Sequence, residues 1–455
     1  MKKNSNEQLS IKYPEIPLAQ TVVKFCELKA IQNIIICAGS RNAPLTNGFV
    51  ENPFFNTYSI VDERAAAFFA LGMAQQLKSA TAVVCTSGSA LLNFYPAVAE
   101  AFYSNIPLVI ISADRMPHRI DIGDGQTIQQ KGVFEPHLVD FAYLTPDVTH
   151  AVNTLLENPN QKLVPPDATA GSLKKRQKEI QEENEKSIDA VLNHCQFKSG
   201  PVHLNVPMEE PLYGMTTSPI QIANCNSPQI KSLKVDFEAV RKQWHQSVKK
   251  IILVGVNDPN TIDQQWLDAI GSDPSVVLMT ETTSNIKLSN SISSIDSLIA
   301  PLENGDMDFF NMLQPDLLLT FGGMVVSKKI KNFLRTFAPK THWHVNPYRA
   351  YDTYYSLSRH FAMPADIFLS QLLEENTSTA SDYREMVLKR YQQHLDRGAA
   401  YLRHIPFSDL RAFQTLFKQL PEKIHLQLAN SSTVRYAQLF EMPRLAQVFC
   451  KIGRA

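Results

Sequence analysis

The sequence predicts an α/β fold of parallel-sheet, three-layer domains in series, the third of them incomplete. Three observations carry that expectation. The chain has 455 residues, more than one compact core organises, so two or three domains are expected. Short, near-continuous apolar runs such as Asn33–Cys37 and Thr81–Cys85 alternate with longer amphipathic stretches, the pattern of buried parallel strands covered by helices. The runs of the first 145 residues stop at small or polar residues, where loops leaving the carboxyl ends of parallel strands bind ligands.

In order along the chain, Asn33–Cys37 is the first strand, followed at once by Ala-Gly-Ser-Arg-Asn-Ala-Pro. Thr57–Val61 is the second and leads into a helix over Asp62–Gln76, whose small and aromatic residues repeat at helical spacing. Thr81–Cys85, then Thr-Ser-Gly-Ser, precedes a helix from Ala90 to Phe102, and Pro107–Ser112 is the fourth strand. Ser172–Cys195 is charge-rich and reads as a solvated connecting helix; Pro201–Val206 is one more strand. A second α/β unit has strands at Lys250–Val254, Val276–Met279, Asp316–Phe321 and His342–Val345, with a helix over Lys328–Phe337. Its Gly322-Gly323 turn lacks the G-x-G-x-x-G pattern and the acidic ribose partner of a dinucleotide site. Residues 377–420 read as mostly helical linker. Ile424–Leu428, a helix over Tyr436–Phe440 and Gln447–Cys450 then open a third unit. The expected domains are therefore 1–198, 199–376 and 377–455.

Lys plus Arg and Asp plus Glu both number 44, so the net charge gives no reason to expect a nucleic-acid groove or an acidic-membrane patch. Cys26, Cys37, Cys85, Cys195, Cys225 and Cys450 are scattered without a C-x-x-C pair, which argues for a reducing compartment and against zinc. The amino terminus has two lysines but no apolar segment after them, and no stretch reaches the ~20 apolar residues of a membrane span. A soluble, cytoplasmic protein is expected.

The local signal richest in chemistry is Val61-Asp62-Glu63-Arg64-Ala65-Ala66-Ala67-Phe68 at a strand-to-helix junction. Its plain reading is an Asp62 cap followed by a first-turn carboxylate at Glu63. Against that reading stands the company it keeps, Gly39-Ser40-Arg41 before and Thr86-Ser87-Gly88 after, each ending a strand. Together these segments resemble the pyrimidine-binding domain of thiamine-diphosphate enzymes. The resemblance narrows to the menaquinone-pathway synthases that join 2-oxoglutarate to isochorismate. It rests on Cys37-Ala-Gly-Ser-Arg-Asn-Ala-Pro-Leu-Thr46, on Ser112-Ala-Asp-Arg-Met-Pro117 followed by Gln126, and on Asn430-Ser-Ser-Thr-Val-Arg435. It spans residues 15–450 in order.

The resemblance implies thiamine diphosphate as cofactor, with Glu63 as the acid at N1′ of its aminopyrimidine and Gly39 and Ser87 as cofactor neighbours. It implies Ser40, Arg41, Arg115, Gln126, Lys328, Lys329, Asn430, Ser431 and Arg435 as contacts to the carboxylate substrates 2-oxoglutarate and isochorismate. Arginine suits that task because it binds carboxylate bidentately. The plain reading of Lys328-Lys329 is a solvated helix start, that of Arg41 and Arg115 a surface ion pair, and that of Ser87 a helix cap. A homodimer or homotetramer is implied, as is Mg²⁺ on the diphosphate. Gly123-Asp124-Gly125 with Asn153 imitates the metal signature, but neither lies at the end of an apolar strand, so no metal ligand is assigned. The family's Asn-Arg-Gly turn is expected after Cys450, where the sequence has Lys451-Ile-Gly-Arg-Ala455. Truncation or a frameshift is the expectation there, with the metal site beyond the end and weak cofactor binding and turnover. Two other readings stay open: an acetolactate-synthase or oxo-acid-decarboxylase type of thiamine-diphosphate enzyme, and an inactive binding or dimerisation module.

Overall fold

The protein is described by a computed structural model covering residues 11–450 except 159, 224, 227–234 and 376; the Lys451–Ala455 departure lies outside the described residues. Two compact units divide between Ile230 and Lys231.

The first unit is built on one six-stranded sheet. Apart from a two-residue antiparallel ladder of β1 (Tyr13–Pro14) with β8 (Met215–Thr216), its strands are β2 (Asn33–Ile36), β3 (Asn56–Ser59), β4 (Thr81–Cys85), β5 (Leu108–Asp114), β6 (Asp140–Tyr143) and β7 (Val202–Pro207). They run in the order β3-β2-β4-β5-β7-β6, every pair parallel. Alternate residues of the central strands feed two cores. Ile34, Val84 and Ile111 pack with Val22, Phe25 and Leu192 on one face, while Ile35, Val83 and Ile110 pack with Ala67, Leu71 and Val98 on the other. Both faces being covered explains why these strands read as unbroken apolar runs.

The boundary expected at 198/199 is corrected by this sheet. That boundary places the strand at 202–207 in the second domain, yet β7 pairs with both β5 and β6. The sequence reading missed β6, whose Asp-Phe-Ala-Tyr is only partly buried at the sheet edge. The helix expected over 90–102 is broken into Ser89–Leu92 and Tyr95–Ser104, because Pro96 has no N–H to continue the first piece.

The second unit has its own six-stranded parallel sheet, ordered β11-β10-β9-β12-β13-β14. These are β9 (Lys250–Val254), β10 (Val276–Met279), β11 (Ser291–Ile292), β12 (Leu317–Phe321), β13 (Thr341–Val345) and β14 (Leu357–Phe361). Trp244 and Trp343, each 1% exposed, sit in the core on one face. The other face receives Tyr383, Val387 and Tyr391. Those three come from helix Tyr383–His404, so the segment expected as a linker is part of this unit's core. The Tyr383 hydroxyl donates to Leu313 O at 2.6 Å, and the Tyr391 hydroxyl accepts from Ser294 N at 3.0 Å.

A smaller cluster around Phe417, Leu428, Val434 and Val448 holds β15 (His425–Leu428) and β16 (Gln447–Cys450), which pair in parallel. The helix joining them is Ser432–Ala437, one turn earlier than the 436–440 expected. Its polar Ser-Ser-Thr start hid it. The Asn285 side chain lies along β16, donating to Val448 O at 2.9 Å and accepting from Val448 N at 2.8 Å. A carboxamide thus stands in for one residue of a neighbouring strand. Among the described residues no helix is long and apolar enough to cross a membrane.

Candidate active site

In the first sheet the chain steps from β2 outward to β3, then returns across β2 to β4. By that reversal the carboxyl ends of β2 and β4 form the switch-point crevice of a doubly wound sheet, the place where parallel α/β sheets take ligands. The loops bordering it are Cys37–Arg41 and Thr86–Gly88. A β-carbon on Gly39 would lie 2.6 Å from the Thr86 Cβ, so glycine is what lets the two loops meet.

Glu63 enters from β3 as the first residue of helix Glu63–Leu77. The cap is Asp62, whose Oδ1 accepts from Ala65 N at 2.7 Å. Among the described residues no hydrogen bond or ion pair engages the half-buried Glu63 carboxylate, so capping does not account for it. Its charge reaches the crevice. Burial first, then Glu63, pushes the Cys37 thiol up to about 12. Burial, Cys37 and Glu63 raise the Cys85 thiol as well. Both cysteines are therefore inert apolar packing, and Glu63 lies beside the ends of β2 and β4.

Arg41 is 6% exposed. Its Nη1 donates to Met208 O at 3.1 Å and its Nη2 pairs with Glu210 at 2.9 Å. Burial and the charge of Arg115 lower its pKa, opposed by Glu210 and Glu209. Arg115 follows β5, and its Nε is buried without a hydrogen-bond partner. Two guanidiniums thus share one field at the ends of β2 and β5, which suits a carboxylate ligand. Asp114 beneath them is raised to about 6 by burial, against the pull of Asn205, the Arg115 amide and both arginines.

Ser40 is exposed on its loop. Ser87 is 2% exposed with its hydroxyl unpartnered, so it does not act as a helix cap. Gln126 has an exposed side chain, and its backbone, at φ 56°, leans on Gly88. Gln130, Ser112, His203 and Asn205, polar residues buried beneath these loops, are given no role by the sequence. A polar residue inside an otherwise apolar strand, as in Val-His-Leu-Asn-Val, was the available signal.

The remaining residues expected at the site lie in the second unit. Lys328 and Lys329 open helix Lys328–Thr336 beyond the carboxyl end of β12. Lys329 pairs with Glu303, and Lys328 is exposed. The turn before them is clamped by the buried Glu281 carboxylate, which accepts from Val326 N and Ser327 N, both at 2.7 Å. Burial pushes Glu281 up to about 7 despite those two bonds. Asn430 and Ser431 are exposed just past β15, with Ser431 at φ 66° and its N–H donated to Asn430 Oδ1 at 2.7 Å. Arg435 is half-buried on the following helix.

Gly123-Asp124-Gly125 lies in a loop and Asn153 in helix Val152–Glu157, away from any strand end. Among the described residues there is no group of three or more His, Cys, Asp or Glu side chains able to hold a metal ion. The crevice does fit a thiazolium–aminopyrimidine cofactor. It offers a free acid, an orphaned buried hydroxyl, and a glycine where a β-carbon would collide with the facing loop.

Residues 16–141 match the family model described as thiamine pyrophosphate enzyme, N-terminal TPP binding domain. Three relatives carry the name 2-succinyl-5-enolpyruvyl-6-hydroxy-3-cyclohexene-1-carboxylate synthase. That from Flavobacterium psychrophilum is 45% identical over 97% of this chain and 74% of its own length. That from Christiangramia forsetii is 45% identical over 97% and 75%. That from Bacteroides thetaiotaomicron is 32% identical over 95% and 72%. With the crevice, its acid and its arginines all in the region matched, the chain belongs to the 2-succinyl-5-enolpyruvyl-6-hydroxy-3-cyclohexene-1-carboxylate synthase family of thiamine-diphosphate enzymes.

Proposed function

We propose that this protein catalyses the thiamine-diphosphate-dependent decarboxylation of 2-oxoglutarate and the addition of the resulting four-carbon unit to isochorismate, in menaquinone biosynthesis. The observation that carries the reading is the uncommitted Glu63 carboxylate beside the ends of β2 and β4, with the paired Arg41 and Arg115 guanidiniums at the same edge of that sheet. The relatives' shared name gives the product, and the resemblance set out from the sequence gives the two substrates.

Bound thiamine diphosphate would supply the electron sink for the decarboxylation. Glu63 holds and exchanges a proton at N1′ of the aminopyrimidine, a task a carboxyl performs and a carboxamide does not. Gly39 and Ser87 shape the wall beside that ring. Arg41 and Arg115 orient substrate carboxylates, and Lys328, Lys329, Asn430, Ser431, Arg435, Ser40 and Gln126 are the further contacts proposed. Mg²⁺ finds no ligand group among the described residues. A homo-oligomer in the cytoplasm completes the proposal. Other thiamine-diphosphate chemistry, with pyruvate as substrate, makes less use of paired arginines.

The test is turnover of 2-oxoglutarate with isochorismate, thiamine diphosphate and Mg²⁺. Glu63→Gln is expected to lower kcat by about 10²–10⁴-fold, the contribution of a positioned proton-transfer group. A variant with near-normal turnover would remove Glu63 from the mechanism. Activity with pyruvate in place of 2-oxoglutarate would redirect the reading, and binding without turnover would favour a non-catalytic module.

A further inference from the structure

Beneath the crevice runs a chain of buried polar groups that the roles above do not use. Gln130 is 1% exposed. Its Oε1 accepts from Gly88 N at 2.8 Å. Its Nε2 donates to Asn205 Oδ1 at 2.6 Å and to Ala113 O at 3.2 Å. The orientation of this carboxamide is not arbitrary. A backbone N–H can only donate and a backbone carbonyl can only accept, so the flipped amide would set like against like at both ends.

Asn205 passes the connection on. Its Nδ2 donates to Asp114 Oδ2 at 2.8 Å, and Asp114 Oδ1 accepts from Arg115 N at 2.8 Å. Ser112 and His203 close the network from the side. Ser112 Oγ lies 2.7 Å from both His203 Nε2 and Asn205 Oδ1. Its single proton goes to the Asn205 oxygen, which has none of its own, so His203 carries its proton on Nε2. Burial lowers His203 to about 3, leaving the ring neutral. Ser112, Asp114, Gln130, His203 and Asn205 are each less than 2% exposed, where hydrogen bonds are strong and orphaned groups costly.

We propose that Gln130 is a positioning residue that locks the Ser87-Gly88 turn, on the cofactor side, to the Asp114-Arg115 turn, on the substrate side. The two turns end different strands, and Gly88 at φ 88° has no side chain of its own to anchor it. Gln130 supplies that anchor, and through Asn205 and Asp114 the same amide fixes the backbone from which Arg115 projects. The link between these turns stands on the geometry; its consequence for the reaction rests on the function proposed above.

Amide hydrogen exchange followed by NMR on the full chain tests the link without needing turnover. Gln130→Met is expected to speed exchange at both Gly88 and Arg115 by about tenfold or more, the loss of a buried hydrogen bond. Val83 and Ile110, in the cores of β4 and β5, should exchange as before. Asn205→Ala cuts the chain on the other side of Gln130, and is expected to release Arg115 while Gly88 stays protected; this variant also serves if Gln130→Met does not fold. Unchanged exchange at Arg115 in either variant, or equal acceleration at Val83 and Ile110, overturns the proposal. In kinetics, Gln130→Met should raise the KM for 2-oxoglutarate more than it lowers kcat, and the reverse split overturns the positioning role. If the unaltered protein turns over nothing, the proposed function fails, and exchange alone decides the link.

Discussion

At the scale of single residues, two positions give clean tests. Gly39 faces the branched Thr86 side chain, and its absent β-carbon would lie 2.6 Å from Thr86 Cβ. Gly39→Ala is therefore expected to cost about 1–3 kcal/mol, as overpacking does, measured by urea unfolding of the first unit, and to weaken cofactor binding by splaying the crevice. His203 gives a pH dependence whose sign follows from linkage. Its folded value of about 3 lies below the unfolded value of about 6.5. Below 6.5 the unfolded chain takes up a proton that the folded His203 refuses, so this residue's contribution to stability is full above that pH and is lost as pH falls toward 3. His203→Leu should flatten the decline between those limits in a denaturation series, and an unchanged slope would place the acid sensitivity elsewhere.

At the scale of elements, helix Glu63–Leu77 separates two acids that are adjacent in sequence. Asp62 makes the cap bond to Ala65, and Glu63 makes none. Asp62→Ala should cost about 1 kcal/mol of stability and leave proton exchange at the cofactor intact. Glu63→Gln should do the opposite, and melting temperature set against kcat distinguishes them. The same contrast shows what could be read from the sequence. Strands buried on both faces, such as Thr81–Cys85 and Lys250–Val254, had bounds that the structure reproduces, because double-sided burial leaves an unbroken apolar run. The edge strands β6 and β14 were missed because half-exposed Asp-Phe-Ala-Tyr and Leu-Ser-Arg-His-Phe carry no such run. In the site, charged residues in short motifs were legible. Gln130 and Asn205 were not, since their meaning lies in hydrogen bonds between strands far apart in sequence.

At the scale of the whole molecule, the first unit leaves Val61 92% exposed just before Glu63, Phe69 45% exposed on helix Glu63–Leu77, and Leu92 44% exposed on the helix after Ser87. Exposed apolar side chains on the segments that lead into a functional site fit a surface covered by a second subunit. Sedimentation should show a homo-oligomer, and Val61→Ser with Phe69→Ser should shift it toward monomer; a monomeric unaltered protein would count against the oligomer proposed.

All three tryptophans, Trp244, Trp266 and Trp343, belong to the second unit. Indole emission during heating or denaturation is therefore a private reporter of that half of the molecule, blind to the half that carries Glu63. Circular dichroism sees both. Coincident curves would mean that the halves melt as one cooperative body, whereas an offset would give each its own midpoint, a convenience that the placement of three indoles provides without any label.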